Sequence, residues 1–230
     1  DSAHQVSPFG ARGANSGLED AENLAWKLAR VLKGTSPEAL LESYHIERSF
    51  AADENIREST RSTDFMAPAT KQEARLRQAV LSLAKDTEFG KRMINGGRLS
   101  VPSRYETPLS TPDADAWSGG PVPGASMPDA PLKTREGGDR FLTEAFTALG
   151  KDFTLMQFAN GGATALSDAM KEIRIGEGGF NDDAGTARAR YDARPGTAYL
   201  LRPDGYVAAR FRAPTRASVE AAMNRACAIS

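Results

Sequence analysis

The chain has 230 residues, with 29 Lys and Arg against 30 Asp and Glu, and a formal charge of −1. The balanced charge excludes a generally basic protein that coats nucleic acid, and no run approaches the roughly 18 consecutive apolar residues of a membrane span. The single cysteine, Cys227, excludes an intrachain disulfide, a Cys-based metal cluster and a CxxC redox pair. Two histidines are too few for a His-rich metal site. We therefore expect a soluble, cytoplasmic protein without metal, membrane or nucleic-acid partner.

The first residues have the character of an interior segment. The chain opens without methionine and passes at once into a glycine-rich stretch, whereas terminal residues usually fray. We interpret the sequence as the C-terminal part of a longer polypeptide.

A helix is predicted to follow, with Ser16 as its N-cap and Gly34 at its end. Ser16 and Glu19 have the spacing of a capping box. Apolar residues recur at steps of three and four, which is typical of one buried helical face. That face consists of Leu18, Ala21, Leu24, Ala25, Leu28, Val31 and Leu32.

The stretch before the helix contains three glycines, which permit positive φ and close approach of another group. The helix start directs free N–H groups and a partial positive charge towards this stretch. A phosphate, a carboxylate or the electron-rich edge of a cofactor ring would suit it. An ordinary loop–helix turn with its own cap explains the same glycines.

The whole segment resembles a known flavoprotein motif. Residues 1–4 (DSAH), Pro8, residues 10–17 (GARGANSG) and residues 20–28 (DAENLAWKL) occur in that order. They are similar to the second FAD-binding motif of the aromatic-ring hydroxylases, the single-component flavin monooxygenases built like p-hydroxybenzoate hydroxylase.

The resemblance implies a set of FAD-binding residues. An Asp placed like Asp1 hydrogen-bonds the ribityl chain, and backbone N–H groups near Asn15 face N1 and the C2 carbonyl of the flavin. A helix N-terminus stabilises the negative charge of reduced flavin there. The implied cofactor-binding residues are Asp1, Pro8, Gly10, Arg12, Gly13, Ala14 and Asn15. No catalytic residue is assigned.

Two positions depart from the common family spelling. Ala11 stands where Gly is frequent, and Arg12 stands where Gln is frequent. Arg12 is either a cation near the ring or an acidic substrate, or a surface residue. The family's GxGxxG motif for the ADP part of FAD does not occur in these residues. We therefore expect weak or absent FAD binding, and no hydroxylation, from this chain alone.

Two further helices are predicted in the middle of the chain. One runs from Pro37 to about Arg61 with a mixed apolar face that includes Leu40, Ile46 and Phe50. Its glutamates alternate with Arg48, so this face is solvated or salt-linked, and Tyr44 and His45 are interpreted as structural. Residues 71–86 form the other helix, with Leu76, Val80, Leu81 and Leu83 inward.

The fold class is α/β, with a division at 1–95 (C-terminal part of the FAD-binding domain), 96–132 (proline-rich linker) and 133–230. Strands are predicted at 153–158, 173–175, 197–201 and 206–211, and helices at 163–170 and 215–228. This order indicates a thioredoxin-like sandwich, and its last strands resemble those of phenol- and polyketide-type hydroxylases. Disulfide exchange needs two thiols, so Cys227 is interpreted as a small buried hydrophobe.

The resemblance implies that the intact protein is a FAD- and NAD(P)H-dependent monooxygenase for a phenolic or polyketide-like aromatic substrate. Family habit suggests a homodimer. The alternative is a non-enzymatic binding or assembly module with a thioredoxin-like domain. A flavin reductase like geranylgeranyl reductase shares the flavin loop but not the C-terminal domain.

Overall fold

A computed structural model describes residues 4–6, 12–94, 102–150, 152–159 and 170–229. Among these residues the helices are α1 (Arg12–Leu32), α2 (Glu42–Met66), α3 (Lys71–Asp86), α4 (Glu88–Ile94), α5 (Leu142–Ala148), α6 (Thr186–Arg190) and α7 (Arg216–Ala226). The strands are β1 (Pro131–Lys133), β2 (Asp139–Phe141), β3 (Thr154–Ala159), β4 (Lys171–Gly176), β5 (Ala198–Leu201) and β6 (Val207–Phe211). No helix in the described ranges is long and apolar enough to cross a membrane.

The chain divides into two compact units. The first consists of Asp1–Ala21 and Arg48–Ser103, and the second of Glu22–Glu47 and Arg104–Ser230. The predicted division of the chain at residues 95 and 132 was based on the sequence pattern and differs in kind from these two units, so it stays a prediction.

The first helix is longer at its N-terminus than predicted. α1 begins at Arg12, so Gly13 and Gly17 are helical, and Ser16 lies inside the helix instead of capping it. The glycine-rich stretch is therefore partly helix. The predicted end is confirmed, because Gly34 follows the last turn with a φ of +69°.

The predicted apolar face of α1 is not its buried face. Leu18, Leu28 and Leu32 are 67%, 39% and 78% exposed. The residues that α1 buries are instead Trp26 and four polar ones, namely Arg12, Ser16, Asn23 and Lys27. Periodicity identified an apolar stripe correctly, but it could not show on which side of the helix this chain packs.

The middle helices follow the predicted positions with two changes. Pro37 precedes a 3₁₀ turn at Glu38–Leu41, after which α2 runs beyond the predicted end, to Met66. α3 has the predicted bounds and begins with a capping box between Thr70 and Glu73. α4 was not predicted.

Several apolar side chains of these helices are on the surface. Leu40 and Val80 are buried as expected. The predicted inward side chains that the structure exposes are Ile46, Phe50, Leu76, Leu81 and Leu83.

In the second unit a mixed sheet has the order β4-β3-β5-β6. β3 pairs parallel to β4, whereas β5 runs antiparallel to β3 and β6. The four strand predictions are confirmed within two residues, and β5–β6 is the predicted hairpin. The helix predicted at 163–170 lies almost wholly outside the described residues, whereas α7 matches its prediction and is capped by Thr215. The mixed helix-and-sheet fold class is thus confirmed.

The core of the second unit lies on both faces of this sheet. Every residue of β5 and most of β6 are buried, as is typical of strands covered on both sides. Cys227, at the end of α7, is also buried, as predicted.

The proline-rich segment is fixed to the sheet by aromatic contacts. Tyr105 is buried and stacks on Tyr206 with 4.4 Å between the ring centroids. The Tyr105 N–H donates to the Gly124 carbonyl at 2.8 Å, and the Gly124 N–H donates to Val207 at 2.8 Å. Leu109 of the same segment is also buried.

Gly124 should be the glycine of this segment that tolerates substitution least. Its φ is +88°, and an added Cβ would lie 2.0 Å from the Tyr105 carbonyl oxygen. Gly137 has a similar φ of +87° but open space around it. We expect Gly137→Ala to cost about 1–2 kcal/mol of unfolding free energy from backbone strain alone, and Gly124→Ala to cost clearly more. Urea denaturation of both variants tests this, and equal losses would contradict it.

Candidate functional site

Four of the predicted FAD-binding residues form the first turn of α1. Arg12 is buried, whereas Gly13, Ala14 and Asn15 are exposed. The amides at the start of a helix have no carbonyl acceptor within the helix, and they carry its partial positive charge. Because α1 begins at Arg12, its positive end lies at Arg12 to Asn15, which are residues that the resemblance named, whereas a helix capped by Ser16 would have placed it after Ser16. The contact with flavin stays a prediction, and Asp1, Pro8 and Gly10 lie outside the described residues.

Arg12 is not a surface residue. Its side chain is 6% exposed, and its Nη1 donates to Asn55 Oδ1 at 2.7 Å. The interpretation of Arg12 as a surface cation is wrong. The guanidinium joins the first turn of α1 to the middle of α2.

Arg48 makes a second link between these helices. Its Nη2 donates to the Ser16 carbonyl at 3.1 Å and to Ser16 Oγ at 3.2 Å. Its Nε donates to Asp20 Oδ1 at 2.5 Å, and the other oxygen of Asp20 lies 2.6 Å from His4 Nε2. Ser16 thus accepts hydrogen bonds from Arg48 of α2, whereas a capping role was predicted for it. Within the first unit, Arg12 and Arg48 make the polar contacts between α1 and α2.

The exposed residues of the first turn carry no charge. Gly13, Ala14 and Asn15 are small or neutral, so none of them places a carboxylate at the positive end of the helix. An added Cβ at Gly13 would lie 3.2 Å from Val6 Cγ2, so glycine allows the preceding segment to lie close to the turn. Within the described ranges no cluster of His, Cys, Asp and Glu could hold a metal ion.

The sequence did not reveal a buried cluster of charges in the second unit. Its centre is Glu47, whose exposure is 1%. Glu47 Oε2 accepts from Lys27 Nζ at 2.8 Å and from Asn23 Nδ2 at 2.7 Å. Arg202 Nη1 and Nη2 donate to the two Glu47 oxygens at 2.7 and 2.8 Å.

Arg202 also binds a second carboxylate. Its Nε and Nη2 donate to the two Asp204 oxygens at 3.0 and 2.6 Å, and Trp26 Nε1 donates to Asp204 Oδ2 at 2.9 Å. The guanidinium carbon lies 5.2–5.8 Å from the centroids of three aromatic rings. We call this set the Glu47 cluster, and its members are Asn23, Trp26, Lys27, Glu47, Arg202 and Asp204.

The charges of the cluster stabilise one another. Burial disfavours the charged form of Glu47, but Arg202 and Lys27 outweigh it and hold the pKa of Glu47 at about 2. Burial lowers the pKa of Lys27 to about 8 against the opposing effect of Glu47. Burial likewise opposes the charge of Arg202, yet Asp204 and Glu47 raise its pKa above the ordinary value. At neutral pH the two cations and two anions coexist without net charge.

The sequence contained a weak signal for this cluster. The face of α2 that contains Glu47 was predicted to be solvated or salt-linked, and for Glu47 the salt link is correct. Arg202 directly follows two apolar strand residues, which is an unusual position for an unpaired cation. Which carboxylate it would bind could not be deduced, because Glu47 is 155 residues away.

Comparison with known protein families gives two matches along the chain. A model of the FAD binding domain matches residues 1–59, and a model of the C-terminal domain of aromatic-ring hydroxylases matches residues 120–228. These are the two segments for which the sequence resembled this family, and the resemblance is confirmed.

Curated relatives and solved structures agree with these matches. A putative polyketide hydroxylase of Streptomyces halstedii is 32% identical over 94% of this chain and 40% of its own length. The tetracenomycin A2 monooxygenase-dioxygenase of Streptomyces glaucescens is 33% identical over 91% of this chain and 37% of its own length. The flavin-dependent monooxygenase PieE, solved with FAD and substrate, superimposes with a TM-score of 0.75 at 25% identity, over 99% of this chain and 46% of PieE. The chain spans about two fifths of the length of the curated relatives.

Neutralising Glu47 should be severely destabilising. Glu47→Gln leaves Arg202 and Lys27 buried with one anion for two cations, which costs about 3–5 kcal/mol of unfolding free energy in comparable cases. Chemical denaturation at pH 7 measures the loss. Glu172→Gln is the control, because the Glu172–Arg174 pair is about one third exposed and should contribute about 1 kcal/mol or less.

The same carboxylate should make stability fall in acid. Because the pKa of Glu47 is about 2 in the folded chain and about 4.3 in an unfolded one, its stabilising charge is complete above about pH 4.3 and is lost as pH falls towards 2. We expect the stability difference between wild type and Glu47→Gln to shrink by roughly 3 kcal/mol between pH 5 and pH 2. A difference that is constant over this range would contradict the assignment.

Proposed function

We propose, since this chain corresponds to the C-terminal part of the FAD-dependent aromatic-ring hydroxylases, that the protein to which it belongs is a flavin monooxygenase. Its substrate would be a phenolic or polyketide-like aromatic compound, and NAD(P)H would be the electron donor. The chain supplies one wall of the flavin site, and alone it is expected to be inactive. A homodimer and a cytoplasmic location are part of the same proposal.

The observation that carries the proposal is the exposed first turn of α1. Gly13, Ala14 and Asn15 are exposed residues at the positive end of a 21-residue helix. Electron transfer to the flavin places negative charge on its N1–C2 carbonyl edge, and preorganised amides stabilise such charge without a titratable group.

Each named residue has a physical role in this proposal. Asp1 would accept a hydrogen bond from the ribityl chain, and Pro8 and Gly10 would lie along the ring. Gly13 and Ala14 let the backbone approach it, and Arg12 acts indirectly by fixing the turn to Asn55. The flavin itself, once bound, activates oxygen for transfer to the substrate, whereas the protein binds and orients it.

The exposed apolar residues of α1 support a larger intact protein. Leu18, Leu28 and Leu32 form an uncovered apolar stripe on the helix, and such stripes usually mark contact surfaces. The curated relatives have about three fifths of their length outside the region matched here. We propose that the corresponding residues of this protein cover the stripe and contribute the rest of the flavin and substrate sites.

The C-terminal domain is proposed to be thioredoxin-like in fold and structural in role. The parallel pair β3–β4 followed by the antiparallel pair β5–β6 supports this fold. Cys227 is buried, and burial raises the pKa of its thiol, which makes it a poor nucleophile. The proposed division of the chain remains 1–95, 96–132 and 133–230.

Flavin binding by the longer natural protein is the direct test. We expect the purified protein to be yellow, and addition of the aromatic substrate to increase its rate of NAD(P)H oxidation. A folded, colourless protein that takes up no added FAD would reject the proposal and favour the non-enzymatic alternative.

A large side chain in the first turn of α1 should weaken FAD binding more than the same side chain elsewhere on the helix. Gly13→Leu places a side chain over the exposed amides, so we expect the affinity for FAD to fall at least about tenfold, because a misplacement of about 1 Å at a site can be that costly. Lys33→Leu introduces the same side chain at an exposed residue just beyond the other end of α1. Isothermal titration of the apoprotein with FAD measures both, and equal affinities of the two variants would contradict the placement of the flavin.

A further inference from the structure

The Glu47 cluster connects α1 to the turn between β5 and β6. Asn23 and Lys27 of α1 bind Glu47, and Trp26 binds Asp204 in that turn. Arg202 joins the two carboxylates through its two bidentate pairs. The Arg202 guanidinium therefore binds both of the carboxylates that accept hydrogen bonds from α1.

Stability alone does not account for so much buried charge. Removing each charge from water costs several kcal/mol, and well-packed apolar residues can replace a buried ion pair without loss of stability. Unlike apolar contacts, charged hydrogen bonds restrict the relative orientation of the groups that they join. The planar fork of Arg202 donates paired hydrogen bonds that orient the carboxylates of Glu47 and Asp204. These two carboxylates in turn accept the hydrogen bonds of Asn23, Lys27 and Trp26, which restrict the rotation and the axial position of α1.

The orientation of α1 matters at its other end. The helix is continuous from Arg12 to Leu32, and Asn23 lies about 16 Å along the axis from the first turn at 1.5 Å per residue. A tilt of about 10° at Asn23 would therefore move the amides of Gly13 and Ala14 by about 3 Å. Functional groups need to be held within about 0.5 Å of their productive positions.

We propose that Arg202 is a positioning residue of the flavin site. Through Glu47 and Asp204 it orients the C-terminal half of the continuous helix α1, and it thereby contributes, beside the local contacts of Arg12 and Arg48, to the placement of the first-turn amides against the flavin. This rests on the proposed function and gives the C-terminal domain a part in it: the turn that follows β5 sets the geometry of a cofactor site to which that turn contributes no ligand.

Arg210 offers a matched control. It is a buried arginine of β6 with its own bidentate carboxylate, since its Nε and Nη2 donate to Asp113 at 2.8 and 2.6 Å. Its guanidinium carbon lies 4.3 Å from the centroid of Trp117. These partners belong to the proline-rich segment and not to α1, so Arg210→Met removes a comparable ion pair without touching the helix.

The test compares Arg202→Met, Arg202→Lys and Arg210→Met in the longer natural protein. Hydrogen–deuterium exchange of peptides covering 16–32 and 105–120 reports on the two segments without need of flavin. FAD affinity and the visible circular dichroism of bound flavin report on the site. Melting temperatures identify variants of similar stability.

We expect Arg202→Met to accelerate exchange more in 16–32 than in 105–120, to weaken FAD binding at least about tenfold and to alter the dichroism of bound flavin. Arg202→Lys keeps the charge but not the fork, and should be intermediate. Arg210→Met should accelerate exchange in 105–120 and change FAD affinity less than about threefold.

Three results would overturn the inference. FAD affinity that is unchanged in a folded Arg202→Met protein would show a purely structural role. An equal loss in Arg210→Met would show a general effect of destabilisation. Wild-type protein without any FAD binding would overturn the proposed function as well, and this outcome differs from the first two because it needs no variant.

Discussion

A single buried carboxylate organises the second unit. Glu47 lies on α2 and receives hydrogen bonds from α1 and from Arg202, which is 155 residues further along the chain. Its loss is costly, since Lys27 would remain buried without its carboxylate and Arg202 would keep only Asp204 of its two carboxylate partners. The segments Glu22–Glu47 and Arg104–Ser230, which form one compact unit, are therefore joined by this carboxylate as well as by the apolar cluster that contains Trp26 and Leu40.

The cluster keeps the same charges over a broad pH range. Glu47 is ionised above a pKa of about 2, and Lys27 is protonated below a pKa of about 8. Well inside this range both members of the pair keep their charges. The first turn of α1 carries its positive potential on backbone amides, which do not titrate at all. The potential of the proposed binding surface is thus insensitive to pH, whereas Lys27 begins to lose its charge as pH approaches 8.

The sequence predicted the sheet better than the helix faces. β3, β5 and β6 are short apolar runs between turn residues, and the residues that cover them lie within the same unit, so pattern and burial agree. On α1 the apolar pattern is equally clear, but Leu18 and Leu28 are exposed while Lys27 is buried. Periodicity shows which residues share one face of a helix, but it does not show what that face packs against. The candidate flavin turn was found because its glycines, asparagine and helix start form a contiguous motif, whereas the Glu47 cluster joins residues that are distant in sequence and individually ordinary.

The two faces of α1 would contribute to its position in different ways. If the leucine stripe becomes covered in the intact protein, burying each leucine contributes roughly 1.5–3 kcal/mol, but such contacts tolerate sliding because the hydrophobic effect has no direction. The polar face restricts the rotation of the helix about its axis, since Trp26 and Lys27 donate at the same time to two different carboxylates, Asp204 and Glu47. Apolar burial on one side and directed charge on the other would together hold the first turn of α1 more firmly than either could alone. A binding surface made of backbone amides has no side chain with which to adjust its position, so it depends entirely on how its helix is held.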